Sequence, residues 1–160
     1  KDKSAPFIVR TESGNIEVLG TEFNIKCYSD ETALVTTLVN GKVKFDDGIN
    51  PSVILKPEEQ LIFEKENSQS IVRKVNVNHY ISWKDNRLSF QGETLDMIMK
   101  TLSRWYNVEV VFEDSTLKAL EFSGNLDRFT DIQEFLSLFE LGVNVKFEVK
   151  NRTVYIRKGN

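Results

Sequence analysis

Cysteine and histidine are almost missing from this 160-residue chain, which has one of each, Cys27 and His79. One cysteine excludes an intramolecular disulfide. One histidine, with no second histidine or cysteine near it, leaves no nitrogen–sulfur metal cluster and no Cys–His nucleophile pair. His79 reads as a surface or linker residue, and Cys27, in strand phase with Phe23 and Ile25, as a buried, inert thiol. Basic charge is not in excess: the net charge is −3, which argues against a phosphate-neutralising surface and so against nucleic acid as a partner. Lys84, Arg87, Lys100, Arg104 and Lys118 are scattered among acids and read as solubility. Phosphate-cradling loops are absent, with no Gly-x-Gly-x-x-Gly and no Gly-Lys-Ser/Thr.

No apolar run approaches the roughly 18 residues of a bilayer-spanning helix, and no signal peptide opens the chain. Lack of disulfides fits the cytosol without excluding the periplasm. The chain begins at Lys1, without an initiator Met, and reads as a processed or excised fragment. Missing targeting segments therefore say little about its parent.

What is present falls into two kinds of pattern. Residues 1–80 are strand-like and all-β. Phe7, Val9 and Thr11 share one phase; Ile16 and Val18 another; Phe23, Ile25 and Cys27 a third. Turn signals recur about every ten residues, at Ser13-Gly14-Asn15, Ser29-Asp30-Glu31, Asn40-Gly41, Asp46-Asp47-Gly48 and Lys56-Pro57-Glu58-Glu59. Asn40-Gly41 lies between alternating runs, so a type I′ hairpin is expected there. Roughly 75 residues are few for a two-sheet sandwich of ~100. The expectation is therefore a small unit of stacked or solenoid-like strands.

Residues 81–160 alternate between strand and helix. Leu88-x-Phe90-x-Gly92 is matched by Leu120-x-Phe122-x-Gly124, and each is followed by an amphipathic helix and an alternating strand. Leu95, Ile98, Met99, Leu102 and Tyr106 fall on one face of the first helix, and Ile132, Phe135, Leu136 and Phe139 on one face of the second. Thr130-Asp131-Ile132-Gln133 predicts a capping box with Thr130 accepting from the Gln133 N–H. Repeated βαβ units predict an α+β, two-layer domain with helices over one sheet face.

No constellation points to catalysis. Asp46-Asp47 and Glu58-Glu59 sit in turns, where solvated carboxylates are usual. No catalytic, cofactor-binding or metal-ligating residue is expected. Met97, opposite the apolar face of the first helix, Trp105 on its flank, and Glu109 and Val111 on the outward side of the next strand form a candidate partner surface. Cover by the β half is the other reading of these side chains.

Three stretches of the β half carry a resemblance: Leu19-Gly20-Thr21-Glu22-Phe23-Asn24, Thr36-Thr37-Leu38-Val39-Asn40-Gly41-Lys42-Val43, and Leu55-Lys56-Pro57-Glu58-Glu59-Gln60. They resemble the LGT-x-FN stretch, T-x-L-x-x-G-x-V hairpin and L-x-P-G-E-Q turn of FecR-type anti-sigma regulators, with Glu58 in place of the usual glycine. Trp83, Leu88 and Phe90, then Leu102-Ser103-Arg104-Trp105-Tyr106-Asn107-Val108 and Phe122-Ser123-Gly124, resemble the C-terminal domain of the same proteins, which is similar to the short N-terminal domain of secretins and TonB-dependent receptors.

The resemblance implies the periplasmic region of a regulator anchored in the inner membrane by a single helix. It implies an extracytoplasmic-function sigma factor held by a cytoplasmic segment absent here. It also implies a TonB-dependent outer-membrane receptor whose signalling domain docks on this region and leads to sigma-factor release. A rival reading is a periplasmic carbohydrate-binding or structural module, with Trp83 and Trp105 stacking on sugar rings.

Overall fold

A computed structural model describes residues 6–127 and 131–159. The fold is mainly β, and the chain divides into two compact units between Ile81 and Ser82.

The first unit holds strands β1 (Phe7–Thr11), β2 (Gly14–Val18), β3 (Glu22–Lys26), β4 (Ala33–Asn40), β5 (Val43–Asp46), β6 (Val53–Leu55), β7 (Glu59–Glu64) and β8 (Gln69–Lys74), then a short helix α1 (Val77–Ile81). They form two four-stranded antiparallel sheets, ordered β1-β2-β5-β6 and β3-β4-β7-β8. Ile16, Val18, Val43, Phe45 and Leu55 from one sheet share a core with Leu34, Leu38, Leu61 and Phe63 from the other. Phe45 and Phe63 meet at 5.0 Å between ring centroids.

This is a sandwich, which corrects the solenoid-like expectation. Solenoid coils need parallel neighbours. Here short reversals make antiparallel hairpins, laid alternately on one sheet and the other. No strand buries more than two apolar side chains, and β1, β3 and β8 fully bury none, so the sandwich fits in fewer residues than a typical one.

The Asn40-Gly41 hairpin is also corrected. β4 and β5 do not pair; they belong to different sheets, and Asn40-Gly41-Lys42 is a corner between them. The two-residue loop with positive φ at both positions occurs at Asn151 (47°) and Arg152 (69°), the conformation of a type I′ turn.

The three resemblance stretches coincide with the three sheet-to-sheet corners, and they lock one another. Thr21 Oγ1 donates to the Lys42 carbonyl at 2.9 Å and accepts from the Lys42 N–H at 3.2 Å. A Cβ on Gly41 would lie 2.7 Å from that same Oγ1. At the third corner the Glu58 N–H donates to the Leu38 carbonyl at 3.0 Å, and the Glu59 N–H closes the turn on the Lys56 carbonyl at 3.0 Å. Glu58 has φ +68°, the sign that a type II turn with Pro at its second position demands of its third. The turn keeps the glycine-like sign of φ despite the glutamate.

The second unit opens on a 3-10 turn (Ser82–Asp85) and contains β9 (Arg87–Thr94), α2 (Leu95–Tyr106), β10 (Glu109–Phe112), a 3-10 turn (Ser115–Ala119), β11 (Glu121–Asp127), α3 (Ile132–Glu140), β12 (Val145–Lys150) and β13 (Thr153–Lys158). The leading strands of the two repeats pair with each other, β9 with β11. The trailing strands β10 and β12 flank β13 in a separate sheet, β10-β13-β12. The strands thus divide between two sheets, correcting the expected single sheet, and α2 packs against both β9 and β10. Alternation shows which face of a strand is buried; it does not show which strand lies beside it.

The core forms as the spacing predicts: Leu95, Ile98, Met99 and Leu102 of α2 and Phe135, Leu136 and Phe139 of α3 are buried. Phe139 is the hub, with ring centroids 4.8 Å from Phe122 and 5.5 Å from Phe135. Thr94 caps α2 by accepting from the Met97 N–H, and Asn107 ends it in the left-handed region at φ 53°. Asp131 caps α3, accepting from the Gln133 N–H at 2.7 Å. Thr130, the expected cap, lies outside the described residues.

Candidate partner-binding site

The paired carboxylates of the first unit are turn scaffolding. Asp47 Oδ1 accepts from the Ile49 and Asn50 N–H groups at 3.0 and 2.8 Å, and its Oδ2 accepts from the Asn50 side-chain amide at 2.8 Å. These bonds, the Asn50 amide foremost, hold its carboxyl below the usual range. Glu59 Oε2 accepts from the Lys56 N–H at 2.8 Å. Cys27 is only half-buried and packs against the sandwich core. Among the described residues no cluster of His, Cys, Asp and Glu is placed to hold a metal ion.

A built surface exists in the second unit, on the side of β10 away from β13. A groove of about 490 Å³ runs between β10 and α2, lined by Asp96, Met99, Ser103, Val110, Phe112 and Lys118 among others. The strand forms because Val110 and Phe112 reach the core while Glu109 and Val111 face water. Asp96 pairs with Lys100 at 2.9 Å and Lys118 at 3.6 Å, and Lys118 Nζ stands 5.3 Å from the Phe112 ring centroid.

The 3-10 turn that carries Lys118 is pinned at its start. Asp114 Oδ1 accepts from the Thr116 N–H and hydroxyl at 2.9 and 2.6 Å, and its Oδ2 pairs with Lys158 of β13 at 2.7 Å. The Lys158 hydrogen bond, then those from Thr116, lower the Asp114 pKa to about 2.

The four candidate residues do not converge. Glu109 and Val111 line the groove. Met97 is exposed on α2, and Trp105 packs partly buried against the core; neither is among the groove's lining residues. At 100° per residue both fall on the other flank of α2 from Asp96, Lys100 and Ser103. Sequence reading missed Ser103 and Lys118. Their signal, proximity to a strand edge, depends on strand order.

The family model described as "FecR protein" matches residues 1–44, and that described as "FecR, C-terminal" matches residues 87–156. The chain belongs to the FecR family. The two matches run in the family's order and together span most of the chain.

Two crystal structures of a candidate anti-sigma factor from Parabacteroides distasonis share the fold. Their TM-scores are 0.87 and 0.86 at 23% identity, over 100% of this chain and 74% of theirs. No curated protein matches at the level of sequence. Within the FecR family model the Thr21 corner falls inside the matched N-terminal stretch, and the groove inside the matched C-terminal stretch.

Proposed function

We propose that this chain is the periplasmic signal-receiving part of a membrane-anchored anti-sigma regulator. Its partner is the signalling domain of a TonB-dependent outer-membrane receptor, and the event it controls is release of an extracytoplasmic-function sigma factor held elsewhere in the parent protein. The reading treats the two units as two domains with separate cores, the second similar to the short N-terminal domain of secretins and TonB-dependent receptors.

The observation that carries it is the pairing of FecR family membership with an open, non-catalytic groove. The groove has an apolar floor and a charged rim, as a protein partner needs. No group there is arranged for bond-breaking chemistry. Of the four surface residues, Glu109 and Val111 belong to this surface. Met97 and Trp105 lie beyond it.

Titration of the chain with recombinant signalling domains from receptors of the same genome tests the proposal. Saturable binding to one of them is expected. Absence of binding to all of them at high micromolar concentration overturns it. Trp83 is half exposed, so a parallel glycan titration read by tryptophan fluorescence is the control for sugar binding, with no response expected.

A further inference from the structure

The two outer edges of the sheet β10-β13-β12 are treated differently. On the β12 side, the outward Phe147 N–H donates to Glu140 Oε1 of α3 at 2.8 Å, and Lys146 Nζ pairs with Glu140 Oε2 at 2.6 Å. A carboxylate from the neighbouring helix occupies the place that an added strand would take. The bonds from Lys146 and Phe147 hold that carboxyl below its ordinary pKa.

The β10 side has no such plug. The Glu109 N–H donates inward to the Arg152 carbonyl at 2.8 Å and the Glu113 N–H to the Ile156 carbonyl at 2.9 Å. Alternate residues of a parallel ladder bond to the same neighbour, so the N–H and C=O groups of Val110 and Phe112 point the other way. Among the described residues none of them has a partner. Glu140 precedes Phe147 by seven residues; Ser103 stands the same number before Val110 and lines the groove. Its hydroxyl is turned back, donating to the Lys100 carbonyl of its own helix at 2.9 Å.

We infer that the open edge of β10 takes an extended strand of the partner protein, added beside Val110 and Phe112 as the next strand of this sheet. This rests on the receptor-binding reading and names where and how that partner docks. An edge with unpaired amides is matched by another main chain. The side chains fix the character of that strand. Those directed into the groove meet the partly buried Val110 and Phe112 and are apolar. Those on the outer face meet Glu109 and Glu113, exposed on either side of Val111 and without an ion-pair partner among the described residues, and are basic. A strand alternating apolar with Lys or Arg is the occupant.

Three arms test the inference with the same receptor signalling domain as probe. Val110→Pro removes one outward amide while leaving the bonds to β13, a change that strand edges tolerate; affinity falls about tenfold or more. Ser103→Glu installs beside Val110 the plug that Glu140 supplies beside Phe147, and it too weakens binding with the thermal midpoint maintained. Amide hydrogen exchange on the unaltered chain needs no substitution, and Val110 and Phe112 gain protection when the domain binds.

Binding of the unaltered chain with full retention in both variants, or without protection at those amides, overturns the inference and leaves the functional reading standing. Failure of the unaltered chain to bind overturns both. Self-association that Val110→Pro abolishes assigns the edge to a second copy of this chain and overturns the partner strand.

Discussion

Gly41→Ala tests whether the three corners are locked as described. Gly41 has φ +96°, and an L side chain in left-handed backbone costs about 1–2 kcal/mol. The added Cβ would also stand 2.7 Å from Thr21 Oγ1 and 2.9 Å from Thr21 Cα. The hydroxyl cannot swing aside without giving up its two bonds to Lys42, and the Cα is backbone. Overpacking of this kind costs a further ~1–3 kcal/mol, for a total of about 2–5 kcal/mol.

Gly48→Ala is the matched control. Gly48 has φ +75°, and a Cβ there meets nothing within 4 Å, so only the conformational cost of about 1–2 kcal/mol applies. A unit of this size has of order 4–12 kcal/mol of stability, so both variants fold and the difference is measurable. Far-UV circular dichroism in urea is the assay, because Trp83 and Trp105 both lie after Ile81 and report on the other unit. Equal losses in Gly41→Ala and Gly48→Ala, within about 0.5 kcal/mol, refute the corner lock.

Glu58→Gly relieves left-handed backbone at φ +68°, offset by extra freedom in the unfolded chain, and raises stability by roughly 0.5–1 kcal/mol; a lower urea midpoint counts against that reading. Thr36 is fully buried between Leu34 and Leu38, with a hydroxyl that finds no partner among the described residues. Thr36→Val therefore stabilises by about 1 kcal/mol, and a destabilised variant shows that the hydroxyl is bonded. Asp114 has its pKa lowered from 3.8 to about 2, so its contribution is complete above the unfolded value and drains away as pH falls through the folded one. In Asp114→Asn the urea midpoint between pH 4 and pH 2 loses part of its slope, and an unchanged slope excludes the Lys158 and Thr116 bonds as its source.

Alternation and helical spacing were sufficient to place nearly every buried side chain. Leu34, Leu38, Leu61 and Phe63, and the faces of α2 and α3, are buried as their phase requires. Neighbour relations between strands were not legible. Asn40-Gly41 has the composition of a tight hairpin, yet β4 pairs with β3 and β7, whose side chains complete its buried face. The fold instead places the two-residue turn at Asn151-Arg152, where Arg152 donates twice to the Asn107 carbonyl, at 3.0 and 2.7 Å, and so holds a conformation that its own propensity disfavours. Local composition decided the reading at Asn40; tertiary bonds decided the outcome at both places. The outward direction of Glu109 and Val111 was legible because strand phase is a local property. The place of Ser103 beside β10 was not, because it depends on which edge of which sheet β10 occupies.

The repeat hides its most informative difference when aligned on its own motif. Matching Leu88-x-Phe90-x-Gly92 to Leu120-x-Phe122-x-Gly124 sets Ser103 against Phe135, a core residue, because the second copy has extra residues around its helix. Counting back from the trailing strands sets Ser103 against Glu140 instead, and only then does the contrast emerge. Two copies of one supersecondary unit inherit the same hazard, an edge strand whose outward amides attract other chains. The second copy meets it with a carboxylate bonded at 2.8 Å to the Phe147 amide. The first carries a side chain too short to span the same gap and turns it back onto its own helix. A solvent-exposed edge kept only for stability would gain from the plug in both copies, since the glutamate satisfies an amide and anchors a lysine together. Its omission beside β10, where a groove with an apolar floor already runs along the strand, is what separates a docking edge from an unprotected one.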